Sequence, residues 1–354
     1  MKTFRRIGVL TSGGDAPGMN AAVRAVTRAA LASGVEVIGI FEGYEGLIHD
    51  QVKPLSARDV SNIIDRSGTF LYSARAPRFK TEEGMEAAIK TCRKYNIDGI
   101  VAIGGDGTFR GATDLTAHGI PCIGLPATID NDITATDFTI GFDTAMNTAL
   151  AMIDRLRDTC ESHKRCNVVE VMGRDAGDIA LQTGIALGAV AAICKELPFD
   201  EDALIEKIRA ERASGKRSFL ITVAEGMGEE FGERLTHTIE EKTGVESRFA
   251  RLAHVLRGGS PTLRDRLLAS RMGEFAVNEL LCGRSNEVIC EIGGNICAVD
   301  INYALILDRM YKNKLKEGDL DRFSKEQVAE MQAACAARLA AQESLAKTVS
   351  HLSM

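Results

Sequence analysis

Residues 5 to 26 read RRIGVLTSGGDAPGMNAAVRAV: an apolar run, a Gly-Gly-Asp, a Pro-Gly and an alanine-rich segment. Ile7 to Leu10 fit a buried strand, and Asn20 to Ala32 set Ala, Val and Leu at the spacing of a helix with one core-facing side. Gly13, Gly14 and Gly18 fall in the connection between them. A glycine-rich turn lets backbone N–H groups face a ligand with no Cβ in the way, and a helix start adds partial positive charge, so an anion is the natural guest. An ordinary tight strand-to-helix turn accounts for these residues equally well.

The same order recurs outward from this stretch. VEVIGI (35–40), IDGIVAIGG (97–105), CIGLPA (122–127), CNVVEVMG (166–173) and SFLITVAEG (218–226) read as strands separated by helix-like segments. Such alternation predicts βαβ units and parallel sheets. VVEVMGRDAGDIALQTGIALG repeats the plan of the first stretch, which predicts two similar α/β halves with a cleft between them. From about Ser324 onward the Ala-, Glu- and Gln-rich tail reads as a solvent-facing helix with a frayed end.

With 354 residues, 45% of them hydrophobic, the chain is long enough for a large core divided between two domains. A formal net charge of -6 argues against non-specific nucleic-acid binding, which selects basic faces. Nine cysteines without a CxxC pair read as buried free thiols rather than a zinc site. Together with the lack of a signal peptide or a long apolar segment, they predict a cytoplasmic protein with no membrane role.

The sharper glycine cluster follows the strand IDGIVAI: Gly104, Gly105, Asp106, Gly107 and Thr108, after which FRGATDLTAHG reads as helix. The turn offers N–H donors to a phosphate chain, and Asp106 can hold Mg²⁺ directly or through water. Neither GxxxxGK[ST] nor a GxGxxG after a strand occurs, so a P-loop is excluded and a dinucleotide site disfavoured. In GLPATIDNDI, Asp130 and Asp132 flank Asn131 just past another strand end, where open α/β sheets place ligands. One carboxylate there suits proton acceptance and another Mg²⁺ binding, as phosphoryl transfer requires. Taken alone, a solvated Asp-Asn-Asp turn explains the same residues.

TSGGDAPGMN, GGDGT, TIDNDI, VEVMGRDAGD and RGGSP, in this order and spacing from about Lys2 to about Asp321, resemble the bacterial 6-phosphofructokinase family. The resemblance implies two Rossmann-like three-layer α/β domains with mainly parallel sheets and a cleft between them. It places a nucleotide-binding domain at 1–141 plus 256–305, a fructose 6-phosphate-binding domain at 142–255 plus 306–324, and a helical tail at 325–354. The implied reaction moves the γ-phosphoryl group of ATP to the 1-hydroxyl of fructose 6-phosphate. Asp130 matches the general base, and Arg75, Thr128 and Gly14 match the other catalytic positions. Gly14, Tyr44, Arg75, Gly104, Gly105, Asp106, Gly107 and Thr108 match the ATP contacts, with Mg²⁺ at Asp106. Thr128, Asp130, Asp132, Arg165, Met172, Gly173, Arg174, Glu225, Arg248, His254 and Arg257 match the sugar-phosphate contacts. Arginine suits that task because its planar fork grips phosphate bidentately. In the family Arg165 and Arg248 reach a neighbouring subunit's site, which implies a homotetramer.

Departures from the family pattern are local. Arg24, Arg28, Arg157 and Lys216 match its ADP effector site, but Ala57 replaces an arginine, Asn62 an aspartate and Val190 an acidic residue, so strong ADP regulation is not expected. Tyr72 and Ala76 stand where glycine and phenylalanine are usual near the adenine. A pyrophosphate-dependent enzyme would carry an aspartate at Gly107 and a lysine at Ala127, so ATP is the expected donor. Diacylglycerol and NAD kinases share GGDGT but lack the arginines around Arg248 and RGGSP, and a non-catalytic phosphate sensor would have lost Asp130.

Overall fold

The computed structural model describes residues 4–353, so Lys2, where the family resemblance begins, lies outside the described residues. The strands in chain order are β1 (Arg6–Ser12), β2 (Glu36–Ile40), β3 (Val52–Leu55), β4 (Gly99–Gly104), β5 (Cys122–Pro126), β6 (Cys166–Val171), β7 (Ala191–Ile193), β8 (Phe219–Ala224), β9 (Ser247–Arg251), β10 (Glu287–Ile292) and β11 (Asn295–Asp300). The chain divides into two compact units. The first takes the chain up to Ile129, Ile133–Thr144 and Arg257–Val328; the second takes Asp130–Asp132, Ala145–Leu256 and the chain from Ala329 onward.

The first unit holds a seven-stranded sheet of order β11-β10-β5-β4-β1-β2-β3. Its five inner strands run parallel, and the edge strands β3 and β11 pair antiparallel. Every residue of β4 and β5 is buried, and a strand covered on both faces has no polar side to alternate. That is why IDGIVAI and CIGLPA read as unbroken apolar runs. The helices Met19–Ala32 and Leu263–Leu281 pack on each other and on this sheet.

In the second unit the sheet runs β7-β8-β6-β9 and is wholly parallel. Its core gathers Val168, Val190, Ile208, Ile221, Leu235 and Ile239. An α/β class with mainly parallel sheets therefore holds in both units.

Several expectations change. Residues 306–324 belong to the first unit, not the second. They continue the helix Ile301–Tyr311, which buries Ala304 and Leu307 and whose Asp308 accepts from Thr134 Oγ1 of the first unit at 2.9 Å. The tail is not a separate frayed appendage. Its helix runs Lys325–Leu352, buries Met331, Gln342 and Val349, and is followed by a buried Ser353 whose hydroxyl accepts from Lys207. Cys282 is exposed and Cys297 and Cys335 are half-buried, although all nine cysteines are free. The hairpin β10–β11 adds an antiparallel pair to the expected parallel sheet; Gly293 and Gly294, at φ 57° and 80°, form the two-residue turn that such a hairpin favours.

Candidate functional site

Strand pairing brings the first unit's motifs together. Ser12 pairs with Gly104 and Gly104 with Pro126, so the turns after β1, β4 and β5 leave neighbouring carboxyl ends of one sheet. From β1 the chain passes to β2 on one side, while β4 lies on the other. That reversal between adjacent parallel strands is where open α/β sheets bind ligands.

Gly104 must be glycine here, since a Cβ would lie 2.2 Å from the Ser12 carbonyl. The helix begins at Asp106, earlier than FRGATDLTAHG predicts, so GGDGT is half turn and half first helical turn. Thr108 N donates to Gly105 O at 2.9 Å, which leaves the N–H groups of Asp106 and Gly107 without a partner within the helix, at the positive end of the dipole. Thr108 Oγ1 donates to Ser12 O at 3.2 Å. Asp106 accepts from Arg110 Nη2 at 2.6 Å, one helical turn on. Around Gly105 and Gly107 a Cβ would meet nothing within 4 Å, so both face open space.

Tyr44 sits behind this turn rather than in front of it. Its ring is buried and stacked on Phe79 at 4.3 Å, and its hydroxyl donates to Thr108 O at 2.5 Å. Burial drives its pKa well above the ordinary tyrosine value, so it stays a neutral donor. Arg75 is exposed on a segment stitched to the first glycine turn: Ser73 Oγ donates to Gly13 O, and Thr11 Oγ1 donates to Tyr72 O at 2.7 Å. Arg257 completes this side, with Nη1 3.9 Å from Asp15 Oδ1 and so close to Gly14 that a Cβ there would lie 2.3 Å from it.

Beyond β5, Thr128 O accepts from Thr139 Oγ1 at 2.6 Å and Ile140 N donates to Pro126 O at 2.9 Å, which pins both ends of the loop. Asp130, Asn131 and Asp132 are all buried, although two carboxylates and an amide make a strongly polar segment. They group with the second unit, where Arg174 Nη1 stands 3.8 Å from Asp132 Oδ2.

In the second unit the turns after β6 and β8 meet as neighbours. Glu225 Oε1 accepts from Gly173 N at 3.3 Å and Arg174 N at 2.7 Å, and Met172 is buried beside them. Arg165 Nη2 lies 2.8 Å from Glu246 Oε1, and Arg248 bonds the same oxygen. The hydrogen bond from Arg165, aided by both positive charges, holds the Glu246 carboxyl below its usual range. Two of the expected phosphate-binding arginines therefore converge on one carboxylate. His254 is exposed on the single turn Ala253–Arg257.

Sequence reasoning missed Glu246, Asp178, Glu196, Arg338 and Gln342. Arg338 Nη2 donates to the Asn131 carbonyl at 2.5 Å, and Gln342 Nε2 lies 3.3 Å from Asp178 Oδ2 and 3.1 Å from Glu196 Oε1. Burial raises the Asp178 pKa, opposed by the Arg338 charge. Asp178 ends the VEVMGRDAGD motif without a role having been given to it, and no local pattern marks Arg338 or Gln342, because the tail helix reads as uniformly polar and small.

Residues 6–280 match the model of the family described as phosphofructokinase. An ATP-dependent 6-phosphofructokinase of Bacillus pumilus is 50% identical over 91% of this chain and 99% of its own length. Its counterpart in Bacillus licheniformis is 54% identical over 81% of this chain and 89% of its own. Among solved structures, phosphofructokinase from Saccharomyces cerevisiae superposes with a TM-score of 0.82 at 32% identity, covering 93% of this chain, which spans 49% of that one.

Proposed function

This chain belongs to the phosphofructokinase family, and on that premise we propose that it transfers the γ-phosphoryl group of ATP to the 1-hydroxyl of fructose 6-phosphate, giving fructose 1,6-bisphosphate and ADP. The observation that carries this reading is the pairing of Ser12 with Gly104, which sets two glycine turns and a helix start side by side at one sheet end.

In this reading the ATP phosphates rest against the turns at Gly14 and at Gly104 through Thr108, with Tyr44 acting from behind by holding the Thr108 carbonyl. Mg²⁺ fits Asp106. The Asp106 carboxylate at a helix start, with Arg110 on its Oδ2, suits an ion that takes its other ligands from water and phosphate. When bound, it neutralises charge on the phosphate oxygens.

Asp130 accepts the proton of the 1-hydroxyl as that oxygen bonds to the γ-phosphorus and the bond to the ADP oxygen breaks. Arg75 stabilises charge on the equatorial oxygens. Arg165, Arg248, His254 and Arg257 hold the 6-phosphate, and Thr128, Asp132, Met172, Gly173, Arg174 and Glu225 hold the sugar. Glu246 keeps Arg165 and Arg248 together until phosphate replaces it. A homotetramer in the cytoplasm, with Arg165 and Arg248 serving a neighbouring subunit's site, belongs to the same reading. Among the described residues no helix is long and apolar enough to cross a membrane.

The open space at Gly107 and the methyl side chain of Ala127 support ATP over pyrophosphate as donor. Fructose 1,6-bisphosphate formation measured with Mg-ATP and with Mg-pyrophosphate on one preparation tests this, with the higher kcat/KM expected for ATP. In the same assay Asp130→Ser loses about 10²- to 10⁴-fold in kcat with little change in the fructose 6-phosphate KM. A higher kcat/KM with pyrophosphate, or an Asp130→Ser enzyme altered only in KM, overturns the assignment.

A further inference from the structure

We propose that Arg338, on the tail helix, is a positioning residue that sets the Asp130-Asn131-Asp132 loop for phosphoryl transfer; this rests on the function proposed above. The helix Lys325–Leu352 lies beyond the residues 6–280 matched by the family model. Yet its guanidinium donates at 2.5 Å to the carbonyl of the residue between the two carboxylates, 207 positions earlier in the chain.

That carbonyl is a sensitive handle. Asn131 has φ 50°, in the left-handed region that Asn tolerates better than most residues. That carbonyl lies in the peptide that joins Asn131 to Asp132, so holding it fixes the backbone on which Asp132 stands, one residue after Asp130. Asp130, Asn131 and Asp132 are each under 10% exposed, so the loop has few alternative places to rest. A guanidinium is itself costly to bury without partners. The side chain of Arg338 is 15% exposed, and besides Asn131 it has Asp178 Oδ2 at 3.5 Å.

One turn along the helix, Gln342 donates to the same Asp178 oxygen and to Glu196 Oε1, which also accepts from Gly177 N at 2.8 Å. Positions i and i+4 share a helix face, so Arg338 and Gln342 clamp as a pair. The buried Asp178 aims Arg338, and Arg338 holds the loop. The other end of the helix is secured separately, by Lys207 on the Ser353 hydroxyl and Lys216 on the Ser353 carbonyl at 2.7 Å. A simple staple for the tail would make the two ends equivalent; a positioning role makes only Arg338 matter to the chemistry.

The test compares wild type, Arg338→Ala, Arg338→Lys and Lys207→Met, all full-length, by kcat and both KM values for fructose 1,6-bisphosphate formation and by thermal melting. Arg338→Ala is expected to lose about tenfold or more in kcat, since a displaced catalytic group can cost ~10²-fold, with the fructose 6-phosphate KM within about threefold. Arg338→Lys keeps one donor and falls between the two, while Lys207→Met lowers the melting temperature and keeps kcat. Added guanidinium ion restores part of the activity of Arg338→Ala. A kcat of Arg338→Ala within about twofold of wild type, or an equal loss in Lys207→Met, overturns the proposal. Should Arg338→Ala not fold, Arg338→Lys decides, and wild-type kcat in that variant overturns it. An inactive wild type removes the functional reading and this one together, whereas an active wild type with unaltered variants removes only this one.

Discussion

Glycine serves different ends at neighbouring positions of the proposed nucleotide site. At Gly104 a Cβ would strike the Ser12 carbonyl, so the residue permits two strand ends to close; at Gly107 a Cβ would meet nothing, so only a ligand can require its absence. Gly107→Asp should therefore leave the fold intact, with a melting temperature near that of wild type. It should cut kcat/KM for ATP far more than it changes fructose 6-phosphate binding, because a carboxylate beside the phosphates repels them. Equal losses toward both substrates in steady-state kinetics would place Gly107 elsewhere. Tyr72 shows the opposite case. It adopts φ 59°, which glycine takes freely and which costs an ordinary L-residue about 1–2 kcal/mol, so the glycine that the family resemblance implies at this position would have a backbone reason. Residues of this kind are legible because their types are informative in order along the chain. Arg338 is not legible, since an arginine among alanines and glutamates reads as solvated until its carbonyl and carboxylate acceptors are seen.

Strands buried on both faces are readable from their apolar runs, whereas β7 has three residues and β9 and β11 are largely half-buried or exposed, which leaves little periodic signal. Helix starts are harder, because they are set by capping partners distant in sequence. Asp265 shows why. It lies in the first turn of the helix Leu263–Leu281, and its carboxylate accepts from Gly141 N at 2.9 Å and Thr144 N at 2.8 Å, serving the start of the helix Phe142–His163 as well. Burial raises its pKa from 3.8 to about 6 despite those donors. The folded chain therefore holds this proton more tightly than the unfolded chain. Its contribution to stability is full below the unfolded value near 3.8 and is lost as pH rises through about 6. Asp265→Asn keeps an acceptor for Gly141 but turns an N–H₂ toward the Thr144 N–H, which costs ~1–3 kcal/mol. Urea unfolding of both proteins should show a deficit that is largest near the unfolded carboxylate value and narrows through the window. A variant as stable as wild type throughout would deny the cap its role.

At the scale of the whole molecule the two units repeat one plan, with glycine-containing turns at the carboxyl ends of parallel strands. This shared plan is why residues 168–188 echo residues 7–26 in the sequence itself. The allocation of short segments leaves no such trace: three residues, Asp130–Asp132, and the tail group with the second unit through contacts that no local pattern encodes. The tail meets one of the residues that the resemblance assigns to an effector site, Lys216. Of the positions that the resemblance assigns to an ADP effector, Val190 lies in the second unit's apolar core, where it offers no ligand to a metal ion. Lys216 Nζ is taken by Glu211 Oε2 at 2.6 Å and the Ser353 carbonyl at 2.7 Å, and Arg157 donates to Leu187 O at 3.1 Å and pairs with Asp154. Arg28 faces the carbonyl of Ala57, where a further arginine would have stood. A ligand moves a conformational equilibrium only as far as its affinities for the two states differ, and with Lys216, Arg157 and Arg28 engaged internally little affinity is left to divide. Effective allosteric coupling amounts to about 5- to 150-fold in affinity. Mg-ADP should therefore shift the half-saturating fructose 6-phosphate concentration by less than about twofold at saturating ATP, well short of that range. The measurement is a set of fructose 6-phosphate saturation curves at rising ADP, with ATP high enough to suppress competition at the catalytic site. Sigmoidal curves that ADP renders hyperbolic would show that Arg24, Arg28, Arg157 and Lys216 still form a working effector site.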